Sequence, residues 1–254
     1  MIARVAVLPQ PPLLVPELVG GPDPDAAAVR EECLAIAADL AGAARQWVAV
    51  AADPAGTHPP EPVGPLAAGT FRGYGVDLPV RLCAPAGVDS GPDGGATVRP
   101  DPAMPLPALI AGWLRGAVGA DTVRVLLVPP DLPTPDCRSF GEHLVAELDR
   151  HEPVGLLVLG DGSHRHGERA PGRPDERAAG FDEDVRRALA AADPAALLAV
   201  DPGTAGALGA VGRAPWQILA GVVGKDGRAW ECVRSRLLIP FGVAYHLALW
   251  APAR

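Results

Sequence analysis

His164 is the residue of this chain best placed to move a proton. It closes the run Gly160-Asp161-Gly162-Ser163-His164, which abruptly ends an apolar stretch of strand length at 154–159. The loop after it, 165–180, is rich in charge, glycine and proline. In open α/β sheets, ligands bind just beyond the carboxyl ends of buried strands. The two glycines are expected to let the backbone turn sharply there and leave a short polar cluster facing a crevice. Imidazole titrates close to neutral pH, which suits His164 to acid/base work. Asp161 and Asp182 are candidates to orient its ring, and Ser163 to support the turn. The alternative is a strand-ending turn with an exposed histidine.

Two further strand exits carry polar residues. Gln10 follows the first apolar run, and Asp53 follows the second. In a parallel sheet these exits border the same edge as the 160–164 turn, so Gln10, Asp53 and His164 are expected to face one crevice. His58 and His166 are added as pocket residues. Other stock patterns fail. Asp161 stands where a Gly-x-Ser-x-Gly nucleophile elbow needs glycine. No phosphate-binding glycine loop follows a strand. His143, Glu147 and His151 share a helical face, where solvation is a better account than metal binding.

The elements that must position these residues alternate between strand-like and helix-like periods. Strands are expected at 2–8, 47–52, 78–83, 122–128, 154–159, 230–238 and 243–250. Helices are expected at 25–46, 106–118, 139–151, 181–191 and 214–223, with 195–200 ambiguous. Ser139 and Glu142 have the spacing of a capping box, which sets the expected start of the third helix. The near-continuous apolar runs suit strands covered on both faces. The fold class is therefore α/β: a single three-layer α/β/α domain over 1–254, with a mainly parallel or mixed central sheet.

Composition narrows the function classes. The 254 residues are 48% hydrophobic, enough for a large core, and the net charge is −8 with no basic cluster, which argues against nucleic acid. No apolar run reaches the length of a membrane span, and the opening segment meets Pro9 too early for a signal-peptide core. The expected location is cytoplasmic, with Cys33, Cys83, Cys137 and Cys232 scattered and reduced. The expected partner is a small molecule. A homo-oligomer is compatible with the sequence.

Four stretches resemble the class III extradiol ring-cleavage dioxygenases, whose superfamily includes the Memo-like proteins. Residues 10–18, Gln-Pro-Pro-Leu-Leu-Val-Pro-Glu-Leu, are similar to an opening His-Pro-Pro-Leu-Leu-x-Pro-Glu. Residues 69–75, Gly-Thr-Phe-Arg-Gly-Tyr-Gly, resemble a Gly-x-Phe-x-x-Phe-Gly segment. Residues 160–164 match Gly-Asp-x-Ser-His, followed by Phe181-Asp182-Glu183. Residues 240–245, Pro-Phe-Gly-Val-Ala-Tyr, resemble a closing Pro-Phe-Gly-Val-Gly-Tyr. The resemblance implies a non-haem Fe(II) held by two histidines and a glutamate at the sheet's carboxyl edge. It also implies a catechol-like substrate, and an acid/base histidine at the position of His164.

The implied metal ligands are substituted. Gln10 stands in place of the first histidine and Asp53 in place of the second. Residues 208–213, Leu-Gly-Ala-Val-Gly-Arg, hold no third ligand. No metal ligand or cofactor is therefore assigned, with Fe(II) expected only if the family chemistry persists. Arg213 is expected to be solvated. Three readings follow: a diverged, metal-free relative whose crevice binds a small molecule; an active Fe(II) extradiol dioxygenase (an oxidoreductase) with unorthodox ligands; or a metal-free acid/base enzyme using His164.

Overall fold

The computed structural model describes residues 1–53, 62–84, 99–148 and 152–253. In chain order these form β1 (Ile2–Leu8), α1 (Pro24–Ala43), β2 (Gln46–Ala52), β3 (Ala68–Thr70), β4 (Pro79–Arg81), α2 (Leu106–Val118) and β5 (Thr122–Val128). There follow α3 (Thr134–Glu147), β6 (Val154–Leu159), α4 (Arg177–Ala190), α5 (Pro194–Leu198), α6 (Pro202–Leu208), α7 (Arg213–Asp226), β7 (Trp230–Leu238) and β8 (Tyr245–Pro252). The central sheet has the order β5-β2-β6-β1-β8-β7. Its first four strands are parallel, whereas β8 runs antiparallel to β1 and β7 antiparallel to β8. The sheet is therefore mixed.

Alternation along each strand divides the core in two. Ala6 and Leu8 of β1, Trp47, Ala49 and Ala51 of β2, and Leu247 and Leu249 of β8 pack with α1 and α2. Val5 and Val7, Val48 and Val50, and Ala248 and Trp250 point the other way and pack with α3, α4 and α7. Successive side chains of a strand leave on opposite faces, so apolar residues at both parities demand a layer of helices on each side. The two clusters are the two sides of one sheet, giving the α/β/α arrangement. Among the described residues no helix is long and apolar enough to cross a membrane.

Several element boundaries depart from the sequence periodicity. The third helix begins at Thr134 rather than Ser139, with Pro135 in its first turn and Asp136 close behind. Proline is preorganised for a first helical turn and an acid suits the positive end of the helix dipole. Ser139 thus lies in the helix interior and caps nothing. The 195–200 segment contains the short helix α5, started by Asp193 accepting from the backbone of Ala195 and Ala196. The helix expected at 181–191 starts earlier, at Arg177, and that expected at 214–223 runs on to Asp226.

Candidate functional site

The carboxyl ends of β1, β2 and β6 meet the beginning of antiparallel β8 at one edge of the sheet. There a crevice of about 780 Å³ is lined by Gln10, Asp53, Asp161, Gly162, His164 and Tyr245. Tyr74, Met104, Pro105, Leu106 and Val243 add apolar and aromatic wall. Three chain segments far apart in sequence, ending in Gln10, Asp53 and His164, thus reach one cavity. His58, the other pocket residue expected from sequence, lies outside the described residues.

Gln10 and Asp161 hold the floor together. The backbone N–H of Gln10 donates to Asp161 Oδ1 at 2.9 Å, and its side-chain Nε2 donates to the Ala52 carbonyl at 3.1 Å. Gln10 is only 4% exposed, and its Oε1 has no hydrogen-bond partner among the described residues. Asp161 retains some accessibility through the crevice, yet burial pushes its carboxyl up to about 6, against the lowering effect of the Gln10 N–H. Tyr245 is 3% exposed, and its phenol is pushed well up by burial first and then by the nearby Asp161 and Cys33.

The His164 imidazole is wedged between two glycines. A Cβ on Gly209 would lie 2.0 Å from His164 Cε1, and one on Gly172 would lie 2.5 Å from its Cδ2. Gly209 also ends α6 in the left-handed region, with φ of 69°. Burial lowers the His164 pKa, and the Arg165 charge lowers it further. Neutral imidazole is therefore the favoured form at pH 7. The glycines of the turn itself serve a purpose other than the expected sharp bend. Neither adopts positive φ. Instead, a Cβ on Gly160 would strike Gly212 at 2.4 Å, and one on Gly162 would strike Asp182 Oδ1 at 2.3 Å. They permit close approach.

His166 needs correcting as a pocket residue, Asp182 as the group that orients the His164 ring, and Ser163 as a catalytic residue. Asp182 is fully buried behind the turn, where it accepts from His166 Nε2 at 2.6 Å and His246 Nε2 at 2.8 Å. Ser163 N–H also lies 3.3 Å from both Asp182 oxygens. Asp182 therefore orients His166 and His246 and anchors the turn; it makes no hydrogen bond to His164. Ser163 is fully buried as well, its Oγ donating to the Leu208 carbonyl and accepting from Arg165 N–H. The physical reason is that the chain bends at 164–166 rather than running on as a strand, so side chains two residues apart do not share a side.

Arg213 is also corrected. It is 1% exposed, with Nη1 donating to the Leu132 carbonyl and Gln217 Oε1 and Nη2 donating to the Pro130 carbonyl. It fastens the β5–α3 connection to α7. In the sequence His246 stands out only as a histidine amid apolar residues. In the fold it is the inner partner of Asp182 and lies edge-on to Trp216, ring centroids 5.2 Å apart. Tyr74 and Tyr245 are wall residues that sequence reasoning missed. Their signal was present, since both fall within the segments that carry the dioxygenase resemblance.

The Fe(II) site implied by that resemblance does not fit the residues present. Gln10 commits its amide nitrogen to Ala52 and offers a neutral oxygen, a poor replacement for imidazole on Fe(II). In the third-ligand stretch, Gly209 packs on the His164 ring and Arg213 is buried with its guanidinium on the Pro130 and Leu132 carbonyls. Among the described residues no three His, Cys, Asp or Glu side chains converge as a metal centre.

No family model matches the sequence, and no curated protein matches it. Among solved structures, the chain is similar to that of an uncharacterized protein from Escherichia coli K12, at 15% sequence identity and a TM-score of 0.48. That similarity covers 98% of this chain and 99% of the other.

Proposed function

We propose that the crevice binds a small hydroxylated aromatic molecule without a resident iron, and that Asp161 and His164 exchange protons with it. The protein is then a diverged, extradiol dioxygenase-like binding protein or metal-free acid/base enzyme. The observation that carries this reading is the single cavity shared by Gln10, Asp53, Asp161 and His164. A cavity of this size takes a monocyclic aromatic with room to spare. Its apolar wall of Met104, Pro105, Leu106 and Val243 suits a ring, and its polar floor suits hydroxyl groups.

The two titratable groups have complementary uses. At neutral pH His164 is uncharged and retains both an acceptor nitrogen and a donor N–H. Asp161, titrating at about 6, takes up and releases a proton within the working range of a cell. Either group accepts a phenolic proton if the ligand reacts.

Calorimetric titration with 4-ethylcatechol, under argon and with a chelator present, tests the reading. Saturable one-to-one binding is expected, weakened about tenfold by His164→Ala, the loss of one good polar contact. Near-stoichiometric iron in protein purified without an affinity tag, lost on Asp53→Ala, overturns it. So does oxygen consumption with catechols that requires both Fe(II) and His164.

A further inference from the structure

The crevice has an electrostatic bias that goes beyond the shape of its ligand. Its described lining includes two carboxylates, Asp53 and Asp161, and no lysine or arginine. Arg169 and Arg173, which flank the lining residue Pro171, are exposed to solvent. Arg72 pairs with Asp77, and Arg165 Nη1 donates to the Arg173 carbonyl, although its charge is felt at His164.

A second, independent feature points to a ligand with donors. Gln10 Oε1 is a buried acceptor without a partner among the described residues. A buried acceptor left unmade costs free energy that a donor on a ligand recovers. The crevice also presents two aromatic side chains, Tyr74 and Tyr245. Asp53 adds to burial in holding the Tyr74 phenol protonated, and Asp161 adds to burial in doing the same for Tyr245. Aromatic rings combined with carboxylates are the surroundings that recognise an ammonium group. A divalent metal, by contrast, lacks three converging donors among the described residues.

We infer that the crevice selects an organic cation: its ligand carries a protonated amine that faces Asp161 and Asp53, with its donors reaching Gln10 Oε1. A carboxylate-bearing ligand meets two like charges in the same space and is rejected. The inference rests on the crevice being the ligand site. It also gives Asp161 a reason to be a largely desolvated carboxylate with no basic partner among the described residues, because the ligand supplies the missing charge.

A matched series tests the inference: 4-ethylcatechol (neutral), dopamine (cationic) and 3,4-dihydroxyphenylacetate (anionic), titrated under argon with a chelator at pH 7.5. Dopamine is expected to bind at least about tenfold tighter than 4-ethylcatechol, and the anion more weakly than either. The dopamine preference is expected to shrink as the pH falls below about 6, where Asp161 is protonated, and to collapse in Asp161→Asn. The pH series on the unaltered protein keeps the test decisive if that variant misfolds. Equal binding of all three, or tightest binding of the anion, overturns the inference and leaves the crevice reading standing. Failure of all three to bind removes the crevice reading as well. Stoichiometric Mn(II) binding in a chelator-free arm, abolished by Asp161→Asn, makes the cation a metal and also overturns the inference.

Discussion

Asp161 and Asp182 meet the same turn from opposite sides, and their surroundings differ in kind. Asp161 accepts one backbone N–H, from Gln10, and opens onto the crevice. Asp182 accepts from two imidazoles and the Ser163 backbone and is wholly enclosed. A buried carboxylate saturated with donors is a structural joint, because every lone pair it needs for folding is already used. A carboxylate that burial leaves short of partners has a raised pKa and marks a candidate site for a ligand's donor. The two acids are alike in sequence. Their partners separate them.

The largest expected effect is on the saturated side. Asp182→Asn leaves one amide to serve two imidazole N–H groups and a backbone N–H, and turns its own NH₂ against one of them. Each buried donor left unsatisfied costs about 1–3 kcal/mol, so a loss of about 3 kcal/mol or more is expected in urea denaturation. Wild-type stability in this variant breaks the comparison, because Asp182 is then no joint.

The connection between the two sides is tested at Gly209. An alanine there adopts an unfavourable positive φ and places its Cβ against the His164 ring. Gly209→Ala is expected to destabilise by about 1–3 kcal/mol and to abolish detectable 4-ethylcatechol binding, as the imidazole is displaced. Full affinity in this variant removes His164 from the site.

The smallest effect runs in the opposite direction. The folded Asp161 carboxyl titrates at about 6, against an ordinary 3.8. The free-energy contribution tied to its protonated form is complete below pH 3.8 and is lost as the pH rises through 6. Above pH 6 the ionised group costs the ligand-free fold at most about 3 kcal/mol, which its partial exposure to the crevice reduces to about 1–2 kcal/mol. Asp161→Asn is expected to be more stable than wild type at about pH 8 by that amount, and equal to it near pH 3.5. Thermal denaturation across this range measures the difference; a variant less stable at the alkaline end shows that the Asp161 charge is satisfied after all.

The sequence by itself determined the layered α/β class and most of the strands, because apolar runs at both parities leave helices on each face as the only way to bury them. It also determined that Gln10, Asp53 and His164 follow strands, and parallel topology brings strand exits to one edge. It did not determine which side of a loop a side chain leaves by. Composition is silent on that, and so His166 and Asp182 group with His164 in sequence when the fold pairs them with His246 from β8. The start of α3 departs from expectation for a related reason: Ser139 has capping chemistry, but the Thr-Pro-Asp turn at 134–136 nucleates the helix earlier. Only the tertiary structure decided that Arg213 is buried, since its carbonyl acceptors at Pro130 and Leu132 lie some eighty residues away in sequence. Likewise, only packing showed why Gly209 and Gly172 are glycines. A residue without a side chain carries no sequence signal for the ring that rests against it.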